Sequence, residues 1–281
     1  MGMPRPSTVS PSALSSFTDC PLAYRFAYVE RLPQPPSPAA SKGTLVHRAL
    51  ELLMCRRAAD RTIDAALDDL ATARAEYSTH PDITGLDLSD AEWSKFYASA
   101  EELVSRYFEF EDPTKVHPIG LELKMMAELP NGVTVRGIID RLELDADGNF
   151  VVTDYKTGSV PREQMERSRL TGVHLYAVLC ERVFGRRPVR VQLLYLAKPE
   201  AIVAEVGDRT LVGAEKRTGA IWDAISRACS AGDFRPQPGK LCNWCAFQAY
   251  CPAFGGNPDQ AVELRSAPNA LASSLEASPS A

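Results

Sequence analysis

Apolar and polar positions change period several times along this chain. From Ser10, SPSALSSFTDCPLAYRFAYVERLP reads as a capped short helix, a Cys-Pro break and an aromatic segment carrying Tyr24, Phe26 and Tyr28. After the Pro-rich linker PQPPSPAA at 33–40, GTLVHRALELLM repeats apolar residues at helical spacing and predicts an amphipathic helix beginning near Gly43. Residues 60–112 continue in an acidic helical pattern, with Ser89 and Glu92 spaced as a capping box for a helix through Phe108. The period then shortens to two. PIGLELKMMAELP, VTVRGIIDRLEL and FVVTDYK, separated by Asn131-Gly132 and Asp147-Gly148, predict a meander of three strands ending at Lys156. A helix over TGVHLYAVLCERVFG, strands over 189–197 and 201–206, and a helix ending near Cys229 complete an α/β pattern. Residues 1–9 and the Ala/Ser/Pro tail at 255–281 read as disordered, leaving 10–254 as the folded region.

A chain of 281 residues with 45% hydrophobic content can build one large domain, or a core with a satellite. No apolar run is long enough to cross a bilayer and the N-terminus lacks a leader pattern, so a cytoplasmic, reducing compartment is expected. The net charge of −5 argues mildly against a nucleic-acid partner, but the charge is uneven. Residues 60–112 hold four Lys/Arg against fourteen Asp/Glu, whereas 162–198 hold eight against three. That basic stretch, with Arg186 and Arg187, predicts a positive groove beside the third strand. The sequence carries no G-x-x-x-x-G-K-[ST] loop and hence no ATP motor of that type.

The third strand changes the picture. Asp140 closes one apolar run, and Asp154 and Lys156 close another and share a strand face. Two carboxylates beside a lysine suit Mg²⁺ or Mn²⁺ and phosphate chemistry; a lone Asp-x-Lys reads first as an exposed ion pair, but Ile138-Ile139 and Val151-Val152 before the two aspartates weaken that reading here. Glu122, on the first strand of the meander, is either a further acid or a surface charge. Cys242, Cys245 and Cys251 crowd into ten residues, a thiol density that points to a metal rather than to packing; spacing leaves zinc and iron–sulfur open. Cys55, Cys180 and Cys229 fall in apolar helical patterns and read as small core residues.

GIIDRLEL followed by TDYKTG resembles the RecB-type branch of the PD-(D/E)xK nucleases, and the likeness extends over about residues 10–254. It implies a restriction-endonuclease-like fold, a mixed central sheet flanked by helices, with 60–112 as a helical insertion. It implies a metal-dependent deoxyribonuclease, exonucleolytic on single strands or frayed DNA ends, in repair or recombination. His47 of GTLVH matches the family's metal-binding histidine, so His47, Asp140 and Asp154 would hold Mg²⁺ or Mn²⁺, with Lys156 as catalytic lysine and Tyr176 in support. Relatives carry Gln-x-x-x-Tyr at that tyrosine. Here Gly172 stands at the glutamine position, with Gln164 and His174 as nearby polar candidates. The run S-x-S-x-L-x-x-F-x-x-C-P-x-x-Y is similar to the N-terminal signature of relatives with an iron–sulfur cluster, the nucleases of CRISPR adaptation and of AddB. The resemblance therefore makes Cys20 the fourth ligand with Cys242, Cys245 and Cys251, and [4Fe–4S] the cluster stapling the N- and C-terminal segments. With no ATP loop in the chain, a separate helicase is a candidate partner, and a non-hydrolytic component that only holds DNA is the alternative.

Overall fold

The computed structural model describes residues 2–160 and 163–265. Its helices are α1 (Pro11–Asp19), α2 (Pro21–Tyr24), α3 (Pro38–Cys55), α4 (Ile63–Glu76), α5 (Pro81–Thr84), α6 (Asp90–Tyr107), α7 (Glu163–Phe184) and α8 (Asp208–Ala231); its strands are β1 (His117–Glu128), β2 (Thr134–Leu144), β3 (Phe150–Lys156), β4 (Arg190–Tyr195) and β5 (Glu200–Glu205). The strands form one mixed sheet in the order β1-β2-β3-β4-β5. β2 and β3 are antiparallel, β3 and β4 parallel, β4 and β5 antiparallel. Parallel neighbours need a crossover, and α7 supplies it. None of the described helices is long and apolar enough to cross a membrane.

The chain divides into two compact units. One comprises Pro36–Leu129 and Val135–Lys216; the other comprises Met1–Pro35, Pro130–Thr134 and Arg217–Ala281. In the first, Leu45, Ala49, Leu50 and Leu53 line one face of α3 at helical spacing and are almost wholly buried with Ala66 and Ala73 of α4 and Leu103 and Val104 of α6. Tyr155 and Leu194 join the same cluster, so α3 is packed into the core that carries β3. The capping box forms, Glu92 accepting the Ser89 N–H at 2.9 Å. β3 is buried from Phe150 to Tyr155, as a central strand with both faces covered must be.

In the second unit, Ser10 caps α1 by accepting the Ala13 N–H at 3.2 Å, and Cys20 opens α2. The expected disorder of residues 1–9 meets a different arrangement. Val9 is buried and donates to Thr134 O at 3.0 Å, and Met3 N–H donates to Cys229 O at 2.7 Å. The local composition is polar, but these backbone groups find partners distant in sequence. Residues 258–265 form a 3₁₀ helix after the cysteine loop, while the tail at 266–281 and the side chain of Gln164 lie outside the described residues.

Candidate active site

β1, β2, β3 and α3 bring the candidate chemistry together. Alternation along β3 places Asp154 and Lys156 on one face and Thr153 and Tyr155 on the other. Asp154 is 4% exposed and forms an ion pair with Lys156 Nζ. Asp140 Oδ2 accepts the Tyr155 N–H at 2.7 Å, so one motif carboxylate is held by the backbone between the other two motif residues. His47 Nδ1 lies 3.4 Å from Asp140 Oδ2 and 4.0 Å from Glu122 Oε1. His47, Glu122 and Asp140 each offer a ligand atom within 4.8 Å of the others. The carboxyl of Asp154 faces Lys156, beside this group.

Glu122 reaches the group through an unusual backbone. Its φ of 43° is left-handed, a conformation that costs a non-glycine residue about 1–3 kcal/mol and persists only where surrounding structure imposes it. Two glycines permit the close approaches that complete the site. A Cβ on Gly43 would lie 3.1 Å from Thr157 Oγ1, so the absent side chain lets α3 sit against the end of β3, four residues before His47. A Cβ on Gly137 would stand 2.9 Å from Tyr176 Cε1 and 3.0 Å from Leu179 Cδ1; the bare backbone of β2 therefore seats the Tyr176 ring three residues before Asp140.

The electrostatics are those of a buried carboxylate cluster only partly offset by Lys156 and His47. Burial raises the Glu122 carboxyl to about 7, and the Asp140 charge adds to the effect. Burial and Asp140 likewise push Asp154 up, against Lys156. Burial disfavours the His47 imidazolium, but its hydrogen bond with Asp140 and the surrounding carboxylates outweigh that and raise its pKa. Burial also opposes charge on Lys156, and Asp154 again wins, leaving the lysine firmly cationic. Tyr176 is raised by burial and by the Asp154, Asp140 and Glu122 charges, so its phenol stays neutral. One imidazole and two carboxylates converging at this spacing form a donor set for a hard or borderline divalent ion.

The sequence reading passed over Arg141, which is fully buried behind the site. It donates to Tyr155 Oη at 2.7 Å, Tyr107 Oη at 3.2 Å and Thr153 Oγ1 at 3.3 Å, and pairs with Glu111 and Glu143 at 2.6 Å each. Its partners Thr153 and Tyr155 flank Asp154, so the network clamps the strand from beneath. An arginine immediately after the candidate acid was the available signal, since neighbouring strand residues point to opposite faces.

Arg186 and Arg187 of the basic stretch lie elsewhere than expected, whereas Arg162 and the side chains of Arg167 and Arg169 fall outside the described residues. Arg186 donates to Gly148 O and stacks 4.5 Å over Phe150, at the opposite end of β3 from Lys156, and Arg187 pairs with Asp208. Four residues of strand, roughly 13 Å, separate Phe150 from Asp154. Arg186 and Arg187 are thus engaged in closing the β2–β3 turn and the start of α8, and the positive groove beside the site is not built from them.

In the other unit, Cys20, Cys242, Cys245 and Cys251 line one recess with Phe26 and Phe247. Backbone N–H groups of Gln237 and Gly239 donate to Cys20 Sγ at 3.4 Å and Cys242 Sγ at 3.3 Å. Burial raises the Cys245 thiol, the Phe247 N–H opposes it, and Cys20, Cys242 and Cys251 raise it further. Cys180 and Cys229 are buried, as expected of core residues, but Cys55 is exposed: it ends α3 one position past buried Met54, on the opposite flank of the apolar stripe.

Comparison with known proteins follows the same lines. Gene 69 protein of Mycobacterium phage D29 is 27% identical over 191 residues, 60% of this chain and 68% of the phage protein. A component of the ATP-dependent helicase/deoxyribonuclease of Streptococcus mutans is 25% identical over 160 residues, which are 54% of this chain and only 14% of that much longer protein. The crystal structure of a proposed exonuclease from Eubacterium rectale shares the fold, with a TM-score of 0.51 at 16% identity over 85% of this chain and 87% of that one. The sequence model of the PD-(D/E)XK nuclease superfamily matches residues 8–252, and with Asp140, Asp154 and Lys156 assembled inside that span the chain belongs to this superfamily.

Proposed function

We propose that the chain is a metal-dependent DNA nuclease of the RecB-like branch, acting as an exonuclease on single-stranded or frayed ends in DNA repair or recombination. The carrying observation is the convergence of His47, Glu122 and Asp140 beside the Asp154–Lys156 ion pair. The Streptococcus relative, part of a helicase/deoxyribonuclease, and the Eubacterium rectale neighbour support the substrate and the mode of attack.

His47, Glu122 and Asp140 would hold the ion; carboxylates suit both Mg²⁺ and Mn²⁺, and the imidazole tilts the choice toward Mn²⁺. When bound, such an ion polarises a phosphate and makes water a better nucleophile at neutral pH. Lys156, kept cationic by Asp154, offsets negative charge gathering on the phosphate as the P–O bond breaks, rather than taking a proton. Tyr176, seated against Gly137, walls one side of the site with a neutral phenol. Asp140, fixed by the Tyr155 N–H, keeps the lysine strand and the ion in register.

Cys20, Cys242, Cys245 and Cys251 would hold a [4Fe–4S] cluster in their recess. Four thiolates suit zinc and iron–sulfur alike, and the resemblance of the Cys20 segment to the signature of iron–sulfur nucleases favours the cluster. Iron and zinc content of anaerobically purified protein tests this.

For the nuclease, labelled single strands should shorten with Mn²⁺ and persist with EDTA. Asp154→Ala and Lys156→Ala should abolish the shortening at unchanged folding, and undiminished cleavage by either variant removes the assignment. A second reading, a component that holds DNA for a helicase partner without cutting it, draws on the Streptococcus relative; it predicts binding without Mn²⁺-dependent shortening.

A further inference from the structure

The cysteine loop has two sides, and only one is used by the thiols. Lys240–Trp244 is a 3₁₀ helix, and with three residues per turn its side chains at i and i+3 stand in rows. Cys242 and, at the helix's end, Cys245 form the row that lines the recess. Leu241 and Trp244 form the next row and are 55% and 77% exposed. Lys240 and Asn243 form the third, also exposed. Trp222, by contrast, is buried.

A tryptophan this exposed, fixed between two cysteines that themselves converge inward, is an apolar surface held ready by the loop beneath it. The surrounding charge says what kind of partner it meets. Arg235 is paired with Asp233, but from Phe234 to Pro258 there is no carboxylate, and Lys240 stands exposed beside the Trp244 row in a chain whose net charge is −5. An aromatic face beside a cation and an amide is the chemistry that takes an unpaired base on its ring and the adjoining phosphate on its ammonium.

We propose that the Leu241–Trp244 row is a stacking platform for single-stranded DNA, with Trp244 under a base, Lys240 on a phosphate and Asn243 at a base edge. The choice of DNA rests on the nuclease reading above, so the test reads binding and not cleavage. The intact chain, without added divalent metal, is titrated into a fluorescently labelled twelve-residue oligo(dT) and into a blunt duplex of the same length. Trp244→Ala should weaken oligo(dT) binding by roughly tenfold to a hundredfold, and Trp244→Phe should keep most of the affinity, because a smaller ring still stacks. Lys240→Ala should lower the slope of log affinity against log salt by about 0.7, one single-strand phosphate contact. Duplex binding should be insensitive to Trp244, since paired bases offer no free face.

Equal oligo(dT) affinity for wild type and Trp244→Ala overturns the proposal, as does an equal loss for the duplex. A Trp244→Ala variant that binds DNA normally but changes its self-association would identify a protein interface and overturn it too. Absent cleavage by the wild type with Mn²⁺ would sink the nuclease reading while leaving the oligo(dT) result standing on its own.

Discussion

Asp140 and Tyr155 are joined by a single bond, the Tyr155 N–H on Asp140 Oδ2 at 2.7 Å, and through it the two motif strands share one geometry. Asp140→Asn retains an oxygen for that N–H but lacks the charge. The variant should fold with a melting temperature close to wild type yet lose Mn²⁺ binding by calorimetry and at least about a hundredfold of cleavage, as removal of several kcal/mol of charge stabilisation requires. Near-normal Mn²⁺ affinity would place the ion away from Asp140.

The raised carboxyls make metal binding proton-linked. Glu122 ionises at about 7, so below that pH a proton occupies the oxygen the ion needs, and Asp154 adds in the same direction. Mn²⁺ affinity should therefore fall from about pH 8 to about pH 5.5, with proton release on binding in calorimetry. The metal-free protein should behave oppositely. A carboxyl raised from 4.5 to about 7 binds more protons folded than unfolded in that window, so its contribution to stability is complete below pH 4.5 and is lost as pH rises through 7. The melting temperature with EDTA should drop across that window, and Glu122→Gln should flatten the drop.

The clamp beneath β3 should be costly to disturb. Arg141→Met leaves Glu111, Glu143 and two phenols around an uncharged side chain, and removing one partner of a buried pair costs about 3–5 kcal/mol. Arg141→Lys keeps the charge but not the fork that reaches Tyr155, Tyr107 and Thr153 together, so it should recover only part of the loss. Denaturant midpoints of the two variants order the effects; equal stability of Arg141→Met and wild type would leave the network without a structural role.

Gly137→Ala should be felt at Tyr176. Its methyl would stand 2.9 Å from the ring, and relief requires moving the tyrosine or β2, at about 1–3 kcal/mol. Cleavage should fall with it, and Tyr176→Leu in the same background should restore stability without restoring activity. Additive losses in the double variant would mean that the contact is not the cause.

The fold and the placement of Asp140, Asp154 and Lys156 on adjacent strands were legible because their signals are local. Asn-Gly and Asp-Gly turns, alternation through FVVTDYK and the Ser89/Glu92 box each fix structure within a few residues. What was hidden depends on partners distant in sequence. Glu122 reads from the sequence as either a further acid or a surface charge, and only its left-handed backbone and His47 together bring it to the group; Arg141 is passed over because its partners Tyr107 and Glu111 lie well upstream in the chain. Arg186 and Arg187 misled because a one-dimensional charge count ignores which end of a strand a turn occupies. Cys55 shows the limit of periodicity at a helix terminus, where the last residue leaves the apolar stripe.

Replacing Cys20 tests the thiol assembly. If the four thiols hold the proposed cluster, Cys20→Ser should lose iron and lower the melting temperature far more than Cys55→Ser, whose side chain is exposed. By analogy with cross-link entropy, tying Cys20 to Cys242 across 221 intervening residues is worth about 5 kcal/mol. Full iron content in the Cys20 variant would move the fourth ligand elsewhere.

The recess that Cys20 shares with Cys242, Cys245 and Cys251 also sets a timetable for synthesis. At about 5–20 residues per second, roughly 10–45 s pass between translation of Cys20 and of Cys242. The whole of the sheet-bearing unit, ending at Lys216, emerges within that interval. The nuclease scaffold can thus form while Cys20 is still a solitary thiol, and the first-made cysteine is the one left longest open to oxidation before its companions arrive.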